Sequence, residues 1–159
     1  MYEMSDQQRS RRQRFESDNM IEYSSGSKVG KKNVLIVDDH YVVRRGLIEL
    51  LSQQPDLTVC DAVATAEQAL EVADREPVDL AIVDISLGQI DGLILTDMLK
   101  QRHPDLTILI LSMHDEQLYG PRAVQAGASG FVAKQEAGDT LLDAIRQVLS
   151  GQTYFHSGC

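Results

Sequence analysis

The stretch VLIVDDH, residues 34–40, joins an unbroken apolar run to two consecutive carboxylates. A short aliphatic run without polar alternation is typical of a strand that is covered on both faces. After it, apolar residues recur at the spacing of a helix, at Val43, Leu47, Leu50 and Leu51. The stretch therefore predicts a buried strand, a polar turn and an amphipathic helix.

The same unit recurs along the chain. Further strands are predicted at 57–63, 79–84, 106–112 and 130–133, and further helices near 66–73, 92–102, 115–126 and 141–149. Strands that alternate with helices in this way imply a single parallel sheet with helices on both faces, which is the doubly wound α/β class. In that class, ligands bind outside the carboxyl ends of the strands.

Two residues give sharper local expectations. Thr65 stands just before the second helical pattern and is a suitable N-cap. Pro121 falls inside the fourth pattern, and proline is tolerated in the first turn of a helix but not in its interior. We therefore expect the fourth helix to begin near residue 120 or to be kinked there.

Charge is divided unevenly along the 159 residues. Residues 1–32 carry seven Lys/Arg and five Asp/Glu, whereas residues 33–159 carry eight and nineteen. So acidic a body repels phosphate backbones, which argues against direct nucleic-acid binding and favours a divalent cation as ligand. No apolar run approaches the roughly 20 residues of a membrane helix. The two cysteines, Cys60 and Cys159, make no disulfide framework, which fits a cytoplasmic protein.

The composition divides the chain into three segments. Residues 1–32 are polar and include the linker-like run SSGS at 24–27, so we expect a leader without a fold of its own. Residues 33–150 hold the alternating pattern and form the domain. Residues 151–159 are too few for a further domain, so they either close a stand-alone domain or begin a linker to an output domain outside this chain.

Polar side chains follow the predicted strands at their carboxyl ends. Asp38 and Asp39 end the first strand, Asp84 the third and Ser112 the fourth, and Lys134 follows the fifth. Each alone has an ordinary alternative: a turn, a helix cap or a surface charge. Together they place three carboxylates in one crevice, where they need a counter-charge. Mg²⁺ prefers oxygen ligands, and an aspartate can accept a phosphoryl group, so the pattern favours phosphoryl chemistry.

Four segments resemble one protein family. They are VLIVDDH (34–40), LAIVDISLGQIDGL (80–93), ILSMHDE (110–116) and GFVAKQ (130–135). They are similar to the CheY-like receiver domain of bacterial response regulators, and the resemblance covers essentially all of 33–150. The chain is most similar to receivers of the NarL/FixJ group, which carry a LuxR-type helix-turn-helix domain.

The resemblance implies a role for each site residue. Asp84 would accept the phosphoryl group, and Lys134 would pair with its oxygens. Asp39 would bind Mg²⁺ directly, Asp38 would act on it through water, and the main-chain carbonyl of Ser86 would be a further ligand. The resemblance also implies the strand order 2-1-3-4-5.

The resemblance implies a switch and partners as well. Ser112 takes the place of the switch hydroxyl, and Phe131 that of the aromatic residue that turns inward when the hydroxyl moves. The phosphoryl donor would be a sensor histidine kinase or a phosphotransfer protein, and a homodimer can form on phosphorylation. The chain would be a signalling domain rather than an enzyme with turnover. It would reach DNA only through a C-terminal domain and would not bind membranes.

Several positions depart from the family pattern, among them Gly88, and three other interpretations stay open. Gly88 stands where a proline is usual, which predicts a more flexible loop after Asp84. A receiver-like interaction module that takes no phosphate is the first alternative. A phosphatase or phosphotransferase of the haloacid dehalogenase type is another, although its nucleophile normally lies on the first strand. A flavodoxin-like cofactor binder would place phosphate beside Asp38 and Asp39, which repel it.

Overall fold

The computed structural model describes residues 30–136 and 138–156. The predicted leader lies almost wholly outside them and stays a prediction. Its last residue, Lys32, instead begins the first strand. The strands are β1 Lys32–Val37, β2 Leu57–Val63, β3 Leu80–Val83, β4 Thr107–Ser112 and β5 Gly130–Ala133. The helices are α1 Tyr41–Ser52, α2 Ala66–Arg75, α3 Gly92–Arg102, α4 Glu116–Ala126 and α5 Asp139–Leu149, with a 3-10 turn at Lys134–Glu136.

The strands form one parallel sheet in the order β2-β1-β3-β4-β5. This confirms the doubly wound α/β class and the order 2-1-3-4-5. The order reverses between β1 and β3, so the crevice outside their carboxyl ends is the expected ligand site.

Each face of the sheet has its own apolar core. On β1, Leu35 and Val37 join the core under α2, α3 and α4, whereas Val34 and Ile36 join the core under α1 and α5. All four are fully buried, as the unbroken apolar run predicted. Burial on both faces fixes the register of the strand, because a slip of one residue would exchange the two sets.

The helix caps explain where two helices begin. Thr65 Oγ1 accepts the amide of Gln68 at 3.2 Å, which confirms the predicted N-cap of α2. The expectation that α4 begins near residue 120 is wrong, since α4 begins at Glu116 and contains Pro121. Asp115 Oδ1 accepts the amide of Gln117 at 2.9 Å and so starts the helix early.

The residues after α5 return to the sheet. Tyr154 forms a parallel bridge with Gly130 on the outer edge of β5. The predicted linker over 151–159 therefore pairs with the domain over part of its length. Among the described residues, no helix is long and apolar enough to cross a membrane.

Candidate functional site

Three side chains predicted from the sequence meet at the carboxyl end of the sheet. Asp38 follows β1, Asp84 follows β3, and Lys134 follows β5. Lys134 Nζ lies 2.8 Å from Asp38 Oδ2 and 3.2 Å from Asp84 Oδ2. Both carboxylates are 2% exposed, so a single ammonium group bridges two buried acids.

The surroundings act on the charge of these groups. Burial and the nearby charge of Asp38 raise the pKa of Asp84, although the Lys134 ammonium opposes them. Burial alone would lower the pKa of Lys134, but its hydrogen bond to Asp38 and the charges of both carboxylates raise it. These effects favour the protonated form of Lys134 and disfavour the ionised form of Asp84.

The acidic residues have the donor set of a cation site. Asp39 lies at the mouth with its side chain 42% exposed. Single ligand atoms of Asp38, Asp39, His40 and Asp84 all lie within 4.8 Å of one another. Three carboxylates face one ammonium group, so the cluster keeps an excess of negative charge. Carboxylate oxygens in this surplus suit a hard divalent cation such as Mg²⁺.

His40 belongs to the site, and sequence reasoning missed it. Its Nδ1 lies 2.9 Å from Asp38 Oδ1, 3.1 Å from Asp39 Oδ1 and 3.8 Å from Asp84 Oδ2. Its backbone amide also donates to Asp38 Oδ1 at 2.8 Å. Its position directly after the two aspartates could have indicated that His40 lies near the site. The sequence does not show, however, in which direction the imidazole ring points.

Ser112, Ser86 and His114 connect the loops around the site. Ser112 is fully buried, and its Oγ accepts the amide of His114 at 3.0 Å. Ser86 Oγ and His114 Nε2 lie 2.9 Å apart, which joins the loop after β3 to the loop after β4. The described contacts of Ser112 thus run to its own loop rather than to Asp84.

Phe131 is fully buried beneath α2, α3 and α4, with Phe155 packed against the same core. The side chain of Phe131 is therefore already buried in this structure, in the position that the expected inward turn would give it. Its role as a switch stays a prediction.

The loop after Asp84 depends on two glycines. Gly88 has a φ of +86°. Proline cannot adopt this conformation, so the backbone of this loop requires glycine here and would not accept the usual proline. Gly92 donates its amide to the carbonyl of Ile85 at 2.7 Å. A Cβ built on Gly92 would lie 2.0 Å from the carbonyl oxygen of Asp84, so this close approach requires glycine.

The comparisons agree with this geometry. The model of the response regulator receiver domain matches residues 34–146. The transcriptional regulatory protein DegU of Brevibacillus brevis is 32% identical over 126 residues, 79% of this chain and 53% of the relative. Response regulator UvrY of Escherichia coli is 34% identical over 125 residues, 79% of this chain and 57% of the relative. The chain thus spans little more than half the length of these relatives.

A solved structure is similar over nearly its whole length. The two-component response regulator of the LuxR family from Aurantimonas shares 30% identity, with a TM-score of 0.75 over 79% of this chain and 89% of that one. The family match, the fold and these relatives agree. The chain belongs to the response regulator receiver domain family, and its relatives are regulators of the NarL/FixJ group.

Proposed function

We propose that this chain accepts a phosphoryl group on Asp84 from a sensor histidine kinase or a phosphotransfer protein. The observation that carries the proposal is the buried pair of Asp84 and Asp38 held by Lys134 at the carboxyl end of the sheet. A buried carboxylate whose ionised form is disfavoured by a second carboxylate is typical of a functional site, and an aspartate can accept a phosphoryl group.

The residues of the site would share the transfer step. A carboxylate oxygen of Asp84 attacks the phosphorus in line, the P–N bond of the donor phosphohistidine breaks, and its electron pair returns to the imidazole. Lys134 Nζ, already 3.2 Å from Asp84, offsets charge on the transferred oxygens. The Ser112 hydroxyl then donates to the phosphoryl group as the loop after β4 moves.

The acidic cluster fits Mg²⁺ by the chemistry of its donors. Asp38, Asp39 and Asp84 would hold the ion, and the main-chain carbonyl of Ser86 would complete the set of protein ligands. The bound ion would supply charge neutralisation for the phosphoryl oxygens. Asp39 is the most exposed of these three carboxylates, so the ion would meet it first on entering the site.

The output of the domain is the regulation of transcription through a DNA-binding domain outside these 159 residues. The proposal rests on relatives that are named transcriptional or response regulators and are nearly twice as long as the matched part of this chain. Residues 33–150 would be the receiver and residues 151–159 the start of the linker. We also propose that the chain forms a homodimer when it is phosphorylated and that it acts in the cytoplasm.

The test is the intact mass of the chain after incubation with acetyl phosphate and Mg²⁺. We expect one added phosphoryl group, lost in Asp84→Ala and without Mg²⁺. Asp105→Ala is the matched control, because Asp105 is an exposed aspartate at the opposite end of the sheet. If neither acetyl phosphate nor beryllofluoride binds to the wild type, the site takes no phosphate and the domain is an interaction module.

A further inference from the structure

The segment Gln152–His156, which we call the C-terminal strap, lies along the outer edge of β5. The carbonyl of Tyr154 accepts the amide of Phe131 at 2.9 Å, and the amide of Tyr154 donates to the carbonyl of Ser129 at 2.8 Å. Gln147 Nε2 donates to the carbonyl of Thr153 at 2.7 Å and ties the strap to α5. Backbone pairing of this kind gives the edge of β5 a partner from its own chain.

Consecutive side chains of the strap pack on opposite sides of the sheet. Tyr154 packs against the core under α1 and α5, and Phe155 packs against the core that contains Phe131. A Cβ built on Gly130 would lie 3.0 Å from the carbonyl oxygen of Tyr154, so glycine allows the strap to lie this close. The strap is therefore seated by shape as well as by hydrogen bonds.

The end of the strap contacts two elements that leave the phosphorylation site. The amide of His156 donates to Glu116 Oε2 at 2.6 Å, and His156 Nδ1 lies 3.4 Å from Glu116 Oε1. His156 Nε2 lies 3.9 Å from Glu136 Oε2. Glu116 is the first residue of α4 and directly follows the loop after Ser112, and Glu136 is in the 3-10 turn that begins at Lys134.

We propose that the C-terminal strap is an autoinhibitory latch that the phosphorylation site releases. The inference rests on the proposed function. When Ser112 moves toward the phosphoryl group, it draws the loop that leads to Glu116 and pulls this carboxylate away from His156. The docked strap thus favours the unphosphorylated arrangement, and phosphorylation releases Gln152–His156 from the edge of β5. If a phosphoryl group weakens the docking of the strap by a given factor, then undocking the strap must raise the affinity of the site for a phosphoryl group by that factor.

The experiment combines amide hydrogen exchange with beryllofluoride titration of the full chain in Mg²⁺. Without beryllofluoride, the amides of Phe131 and Tyr154 should be protected. Saturating beryllofluoride should speed their exchange at least tenfold. His156→Ala and Tyr154→Pro should each tighten beryllofluoride binding about fivefold or more. Gln152→Ala is the control, because this exposed side chain faces neither glutamate, and it should bind like the wild type.

The outcomes separate the two proposals. If beryllofluoride does not bind to the wild type or to Gln152→Ala, the proposed function fails and the latch fails with it. If it binds, but the exchange of Phe131 and Tyr154 is unchanged and the strap variants bind like the control, only the latch is overturned. Unprotected amides at Phe131 and Tyr154 in the free chain would also overturn the latch, whatever the site binds.

Discussion

At the scale of single residues, Gly92 lets the loop after Asp84 pack closely because it has no side chain. A methyl group there would lie 2.0 Å from the Asp84 carbonyl oxygen and 2.9 Å from Ile85 Cα, and both of these atoms belong to the backbone. We expect Gly92→Ala to lower the free energy of unfolding by about 1–3 kcal/mol, because the backbone must move to relieve the overlap. Urea denaturation measures the change.

Gly46→Ala is the matched control for this substitution. Gly46 is an exposed residue within α1, and a Cβ built on it meets nothing within 4 Å. Alanine should therefore raise stability by about 0.5–1 kcal/mol, since it restricts the unfolded chain more than glycine does. If both substitutions change the free energy of unfolding equally, the backbone of the loop after Asp84 can move away from the added methyl group without loss of stability.

The sequence predicted the charged centre of the site but not its surroundings. Asp38, Asp84 and Lys134 could be placed together because the carboxyl ends of parallel strands share one edge of the sheet. The ring of His40 could not be placed, because its contacts depend on a side-chain rotamer at the start of α1. The need for Gly92 was equally hidden, because it arises from an approach of two loops that no local pattern records.

At the scale of elements, α4 carries a proline in its interior. Pro121 is the sixth residue of α4, and its missing N–H leaves the carbonyl of Gln117 without its helical donor. We expect Pro121→Ala to raise the free energy of unfolding by about 1–3 kcal/mol. Thermal and urea denaturation measure this gain.

The control for Pro121→Ala is Gln125→Ala on the same helix. Gln125 is exposed, and its replacement changes no backbone hydrogen bond, so its effect should stay within about 0.5 kcal/mol. A proline variant no more stable than this control would show that the helix already accommodates Pro121 without strain.

The elements themselves were largely predictable, and the exceptions have physical causes. The bounds of β2, α3 and β5 agree with the prediction, because glycine, proline or a charged residue marks at least one end of each. The start of α4 was misplaced because the cap at Asp115 outweighs the bond lost at Pro121. The strap was missed because its apolar residues are Tyr154 and Phe155, a run too short to show periodicity.

At the scale of the whole molecule, we expect the buried acidic cluster around Asp84 to lower the stability of the fold that carries it. Burial and the charge of Asp38 raise the pKa of Asp84, so the native state holds this carboxylate ionised at a cost. We expect Asp84→Asn to raise the free energy of unfolding on the order of 1 kcal/mol at neutral pH without divalent cations. Asp105→Asn, which removes an exposed charge, should change it much less.

The dependence on pH and Mg²⁺ identifies the origin of that gain. The penalty is complete above the raised native pKa of Asp84, and it is gone below the unfolded value of 3.8, where both states are protonated. The advantage of Asp84→Asn should therefore shrink as the pH falls through this window. If the proposed Mg²⁺ site exists, Mg²⁺ should stabilise the wild type more than the variant, because only the native cluster would bind the ion. An advantage that persists at low pH, or is unaffected by Mg²⁺, would assign the gain to packing instead of charge.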